Sequence, residues 1–114
     1  MKRIIFVLSL LLMQGAILHP ASPKSGATTC PSSGAKRLVT ASTPAITVTV
    51  QVPLGNTGGT IYFGDSTVSS TTGIALNKGD SFTFAPASNS NSWNLYQMYF
   101  ACSDSGDKIT WIYD

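Results

Sequence analysis

The tightest constraint on the fold is one run of seven residues, Ile46-Thr47-Val48-Thr49-Val50-Gln51-Val52. Every apolar residue in it is β-branched, and a period of two puts them all on one face with Thr, Thr and Gln on the other. A strand covered on both faces reads as a continuous apolar run, so this alternation predicts a half-buried antiparallel sheet with one wet face.

The same period returns at short intervals. Residues 60–63 form a β-rich run between Gly58-Gly59 and Gly64-Asp65, and Ser81-Phe82-Thr83-Phe84 alternates between Lys78-Gly79-Asp80 and Pro86. Residues 95–101 read as an aromatic-rich strand. Lys108-Ile109-Thr110-Trp111-Ile112-Tyr113 alternates again behind the turn Ser105-Gly106-Asp107, and weaker strands are expected in 37–40 and 67–76. Successive pieces read as consecutive hairpins. No segment beyond the N-terminus carries a helical period. The expectation is an all-β fold, a small antiparallel β-sandwich or barrel of jelly-roll or immunoglobulin-like type over residues 36–114.

Ahead of it lie two other segments. Lys2-Arg3 precedes an apolar run over residues 4–13, the anatomy of a secretory leader, and a helix extended to Leu18 would reach roughly 22 Å, short of the ~30 Å hydrocarbon core. Cleavage signals are poor, since Ala16 follows Gln14-Gly15 and Ala21 follows His19-Pro20. Residues 1–21 are therefore either a leader or an uncleaved hydrophobic arm, and any membrane contact is expected only through them. Residues 22–35, rich in Ser, Thr, Pro and Gly, read as a linker arm with too little apolar surface to offset chain entropy.

Charge narrows the function. Beyond residue 20 the five Asp of the chain face Lys24, Lys36, Arg37, Lys78 and Lys108, and only Lys36-Arg37 are adjacent, so no basic patch is available to release counterions from nucleic acid. Catalysis is equally short of parts. His19, the single histidine, lies in the leader, and there is no Glu, so serine and cysteine triads and histidine metal sites have no partner in the domain. Gly64-Asp65-Ser66 and Gly79-Asp80-Ser81 fit Asx turns better than nucleophile elbows. Asp104 and Asp107 lack the further carboxylates of a calcium loop and read as a solvated turn. The chain is expected to be no enzyme, with no catalytic, cofactor or metal residues, no cofactor and no small-molecule substrate.

Residues 36–114 carry a further pattern: Lys36-Arg37-Leu38-Val39-Thr40, Asn56-Thr57-Gly58, Ile61-Tyr62-Phe63-Gly64-Asp65-Ser66-Thr67-Val68, Thr72-Gly73-Ile74, Lys78-Gly79-Asp80-Ser81 and Gly106-Asp107-Lys108-Ile109-Thr110-Trp111. In order and spacing this resembles small virion structural proteins and attachment domains of tailed bacteriophages. The resemblance implies a non-catalytic β-sandwich located in the virion. Such a protein would decorate the capsid or anchor an appendage, as a homo-oligomer in contact with the major capsid protein or another virion protein. A secretion-like leader departs from that pattern. The alternative is a secreted or periplasmic β-sandwich module that binds glycan or protein.

Two pairs of residues bear on the choice. Cys30 and Cys102 would close a loop of about seventy residues if oxidised, and both the bonded and the free state are open. In the C-terminal third, Ile109, Trp111, Tyr113, Met98 and Phe100 are expected in the core. Trp93 and Tyr96, beside the polar run 88–92, are the candidates for contact with a partner.

Overall fold

The structure, a computed structural model, describes residues 22–85 and 92–114. The expectations for the leader, His19 and most of the polar run 88–92 lie outside the described residues. Ten strands follow one another: β1 Lys24–Thr29, β2 Lys36–Arg37, β3 Pro44–Ala45, β4 Val48–Gln51, β5 Ile61–Gly64, β6 Ile74–Leu76, β7 Ser81–Phe84, β8 Trp93–Asn94, β9 Tyr99–Cys102 and β10 Lys108–Tyr113. They form two four-stranded sheets, ordered β1-β10-β4-β7 and β2-β9-β5-β6, and a short ribbon β3-β8.

The pairing is nested. β1 pairs with β10, β2 with β9, β3 with β8, β4 with β7 and β5 with β6, all antiparallel. The chain is thus one long ribbon doubled back at the β5–β6 turn, and wrapping it adds the pairs β10–β4 and β5–β9. This is the connectivity of a jelly roll, the double-sheet architecture of eight principal strands. It departs from consecutive hairpins: only β5 and β6 are neighbours both along the chain and within a sheet. An immunoglobulin-like order is excluded by the same pairing.

The alternation of β4 does what its period requires. Val48, Val50 and Val52 are fully buried, while Thr49 and Gln51 face outward, Thr49 sharing a 2.9 Å hydrogen bond with Thr83 of β7. Phe63 and Phe100 meet them from the second sheet, and Ile109 and Leu38 complete the centre of the core. Trp111 and Tyr113 pack against this core from its margin. Ile46 does not join the Val face: it is 60 % exposed, its backbone N–H bonded to the carbonyl of Asp114 at 2.9 Å.

Two expectations are corrected. The segment 22–35, read as a linker arm, contains β1, which runs its full length against β10, with Gly26 opposite Trp111 and Thr28 opposite Ile109. Its composition misleads because this edge strand needs no apolar side chains. A Cβ on Gly26 would lie 2.5 Å from the Trp111 ring, so the indole covers that position, and the Thr28 hydroxyl donates to the Leu38 carbonyl at 2.6 Å. The domain therefore opens at β1, not at residue 36. Residues 95–101 are also not one strand. Asn94 accepts from the Tyr96 N–H and starts a 3-10 turn, Leu95–Gln97, so that β9 begins only at Tyr99.

Turns are held by a few polar side chains. Asp107, 4 % exposed, accepts from the Thr57 N–H (2.8 Å), the Thr57 hydroxyl (2.9 Å) and the Gly59 N–H (3.3 Å). Beside it the Asn56 amide donates to the Lys108 carbonyl and accepts from the Lys108 N–H. Together they lock the β4–β5 connection to the start of β10. Asp107 is therefore a buried structural carboxylate rather than part of a solvated turn. The Thr57 N–H holds it ionised below the ordinary Asp range, against the upward pull of its burial.

Cys30, one residue beyond β1, is bonded to Cys102 at the end of β9, with Cα atoms 5.9 Å apart. Because β1 and β9 belong to different sheets, the bond ties the two layers together.

Candidate binding groove

Phe84 is the last residue of β7, and it reaches across the open side of the sandwich. Its ring lies 5.4 Å from that of Phe63 in the opposite sheet and 5.4 Å from the Trp93 indole, with Phe82 4.7 Å away on its own strand. Phe63, Phe84 and Trp93 form one wall of a groove of about 850 Å3. The turn after β5 forms the other, through Asp65, Thr67, Thr72 and Gly73, with Ile74 of β6 behind them and Gln97 and Met98 closing one end. The turn is rigid for a local reason: the buried Val68 side chain fills the space a Cβ on Gly73 would need, at 2.5 Å.

The polar groups of the groove divide into used and unused. Asn94 is spent on the fold, accepting from the Thr43 and Tyr96 N–H groups and donating to the Ser42 hydroxyl. Asp65 uses one carboxylate oxygen, Oδ1, for the Thr67 N–H at 2.9 Å and the Thr67 hydroxyl at 2.6 Å. The Thr67 hydroxyl, ahead of its N–H, holds the carboxyl below the ordinary Asp range, so it is ionised at neutral pH. Its second oxygen has no hydrogen-bond partner among the described residues, and both Asp65 and Gln97 are exposed. The Trp93 Nε1–H is buried with no acceptor among the described residues. Among the described residues no lysine or arginine lines the groove.

The two residues expected at a partner surface are not brought together. Trp93 is half-buried in the groove wall. Tyr96 lies outside the groove lining, where Arg37 stacks on it with Cζ 3.9 Å from the ring centre and donates to its carbonyl at 2.6 Å; Tyr99 lies 4.9 Å from the same guanidinium. One face of Tyr96 is thereby already occupied. Phe84, Asp65 and Gln97 are the groove residues the sequence did not single out. Asp65 is legible as a turn residue, and Phe84 as the end of an alternating strand, but nothing along the chain joins them to Trp93.

Among the described residues no helix is long and apolar enough to cross a membrane, and no group of three His, Cys, Asp or Glu is placed to hold a metal ion. Comparison with protein-family models, with curated proteins and with solved structures finds no match to the chain.

Proposed function

We propose that this chain is an exported, non-catalytic jelly-roll domain that binds a ligand in the groove between Phe84, Trp93 and the Asp65 turn. The observation that carries the reading is the Cys30–Cys102 bond, because a disulfide that ties two sheets together belongs to an oxidising compartment. The apolar run behind Lys2-Arg3 in the sequence supports it. The groove itself has the ordinary form of a ligand pocket, concave, with aromatic walls and a few convergent polar groups. Among the described residues its lining holds a single carboxylate and no histidine, so no acid and base pair is seen there to divide between two roles.

A second reading, a tailed-phage virion protein that decorates a capsid or anchors an appendage, is favoured by the sequence pattern of residues 36–114. The structure gives that pattern a physical role. Asn56, Thr57, Asp65, Thr67, Gly73 and Asp107 hold turns, and the Gly79 N–H bonds to the Val52 carbonyl at 2.8 Å. The residues of the pattern are scaffold, so the pattern bears on the fold more than on the function. The readings part on maturation. Protein recovered outside the cell without residues 1–21 and with bonded cysteines supports export; full-length, reduced chain recovered in virus particles supports the virion reading.

A further inference from the structure

We propose that the groove is a site for a neutral oligosaccharide, with the Asp65 carboxylate and the Gln97 amide reading its hydroxyls against the Phe84–Trp93 wall. The inference rests on the reading of the groove as the ligand seat and adds the ligand class. Charge decides first. Among the described residues Asp65 is the one charged side chain of the lining, it is held ionised by Thr67, and that lining carries no lysine or arginine to balance it. A phosphate, sulfate or uronate would meet uncompensated repulsion there.

Shape decides next. About 850 Å3 suits a ligand of a few rings, since pockets for small molecules span about 300–1,000 Å3. At the groove, a protein partner docked by strand addition would find only the short edges that line it, β6 with three residues and β7 with four. Chemistry then fits a sugar. The C–H face of a pyranose packs on an aromatic wall, the Asp65 oxygen without a partner among the described residues accepts from a hydroxyl, and the Gln97 amide can both donate and accept. The Trp93 Nε1–H, on a residue of the lining and without an acceptor among the described residues, is a further candidate donor.

The test titrates the exported, oxidised protein by 1H–15N NMR with neutral trisaccharides of glucose, mannose, xylose and N-acetylglucosamine, with trigalacturonate, and with a pool of extended peptides. At least one neutral trisaccharide is expected to shift the Trp93 indole N–H and the amides of the Asp65 turn saturably, while trigalacturonate does not. Asp65→Asn and Gln97→Ala should each weaken that binding about tenfold, the loss of one hydrogen bond to a bound group, with the remaining spectrum unchanged. Gln97 is exposed and outside the core, so its variant keeps the test valid if the Asp65 turn loosens. The glycan assignment is overturned if no neutral sugar moves these amides, or if the variants bind as well as the parent. If the peptides move the same amides instead, the groove remains a binding site and only the ligand class falls; if neither does, both readings fall.

Discussion

Gly26 lacks a side chain because the Trp111 indole stands where one would be. The contact is with the middle of a rigid ring, not with the end of a flexible chain, so neither partner can give way cheaply. Gly26→Ala is expected to lower stability by about 1–3 kcal/mol, the range for overpacking, read as a lower urea midpoint with unchanged slope. Asp107 makes a different kind of prediction. Its carboxyl is held below its ordinary value in the folded protein, so its contribution is complete above the unfolded pKa of about 3.9 and is lost as pH falls through the depressed one. Urea midpoints should therefore decline below about pH 4 in the parent. Asp107→Asn should be less stable at neutral pH and show a flatter acid limb; parallel curves would mean that the three hydrogen bonds to Thr57 and Gly59 contribute nothing specific.

At the scale of elements, the strands that alternate apolar and polar residues were legible in the sequence. β7 and β10 match their alternating runs end to end, and β4 differs only at its margins, where Ile46 turns out to the solvent. β1 was not legible, because a strand covered by a neighbour's tryptophan can be built of Lys, Ser, Gly, Ala and Thr. The 3-10 turn was hidden for another reason: the Asn94 cap that starts it sits inside an aromatic run that reads as continuous strand. The groove follows the same division. Trp93 stood out as an aromatic beside polar residues, whereas Asp65 and Gln97 meet it only through the fold.

The link between β1 and β9 carries a prediction at this scale. The bond spans 72 residues of sequence, and closing a loop of that length is worth about 4 kcal/mol on chain-entropy grounds. Replacing both Cys30 and Cys102 by Ser should lower stability by that order, measured as a fall in urea midpoint. A double variant as stable as the parent would mean that hydrogen bonding to β10 alone holds β1.

For the whole molecule, nested pairing brings the first strand beside the last. The connection is non-local, which is why periodicity alone did not reveal it, and it leaves a thin core that depends on its margins: the Asp107 clamp, the Trp111 lid over β1 and the disulfide between the layers. On the export reading proposed above, this small domain with a covalent tie between its sheets works outside the reducing cytosol. The most direct test is the intact mass of the protein recovered from its native cells or their medium, before and after reduction and alkylation. The account predicts a chain that has lost the leader ahead of β1 and that takes up alkyl groups at Cys30 and Cys102 only after reduction. A chain that keeps residues 1–21 and is alkylated at both cysteines without reduction would contradict it.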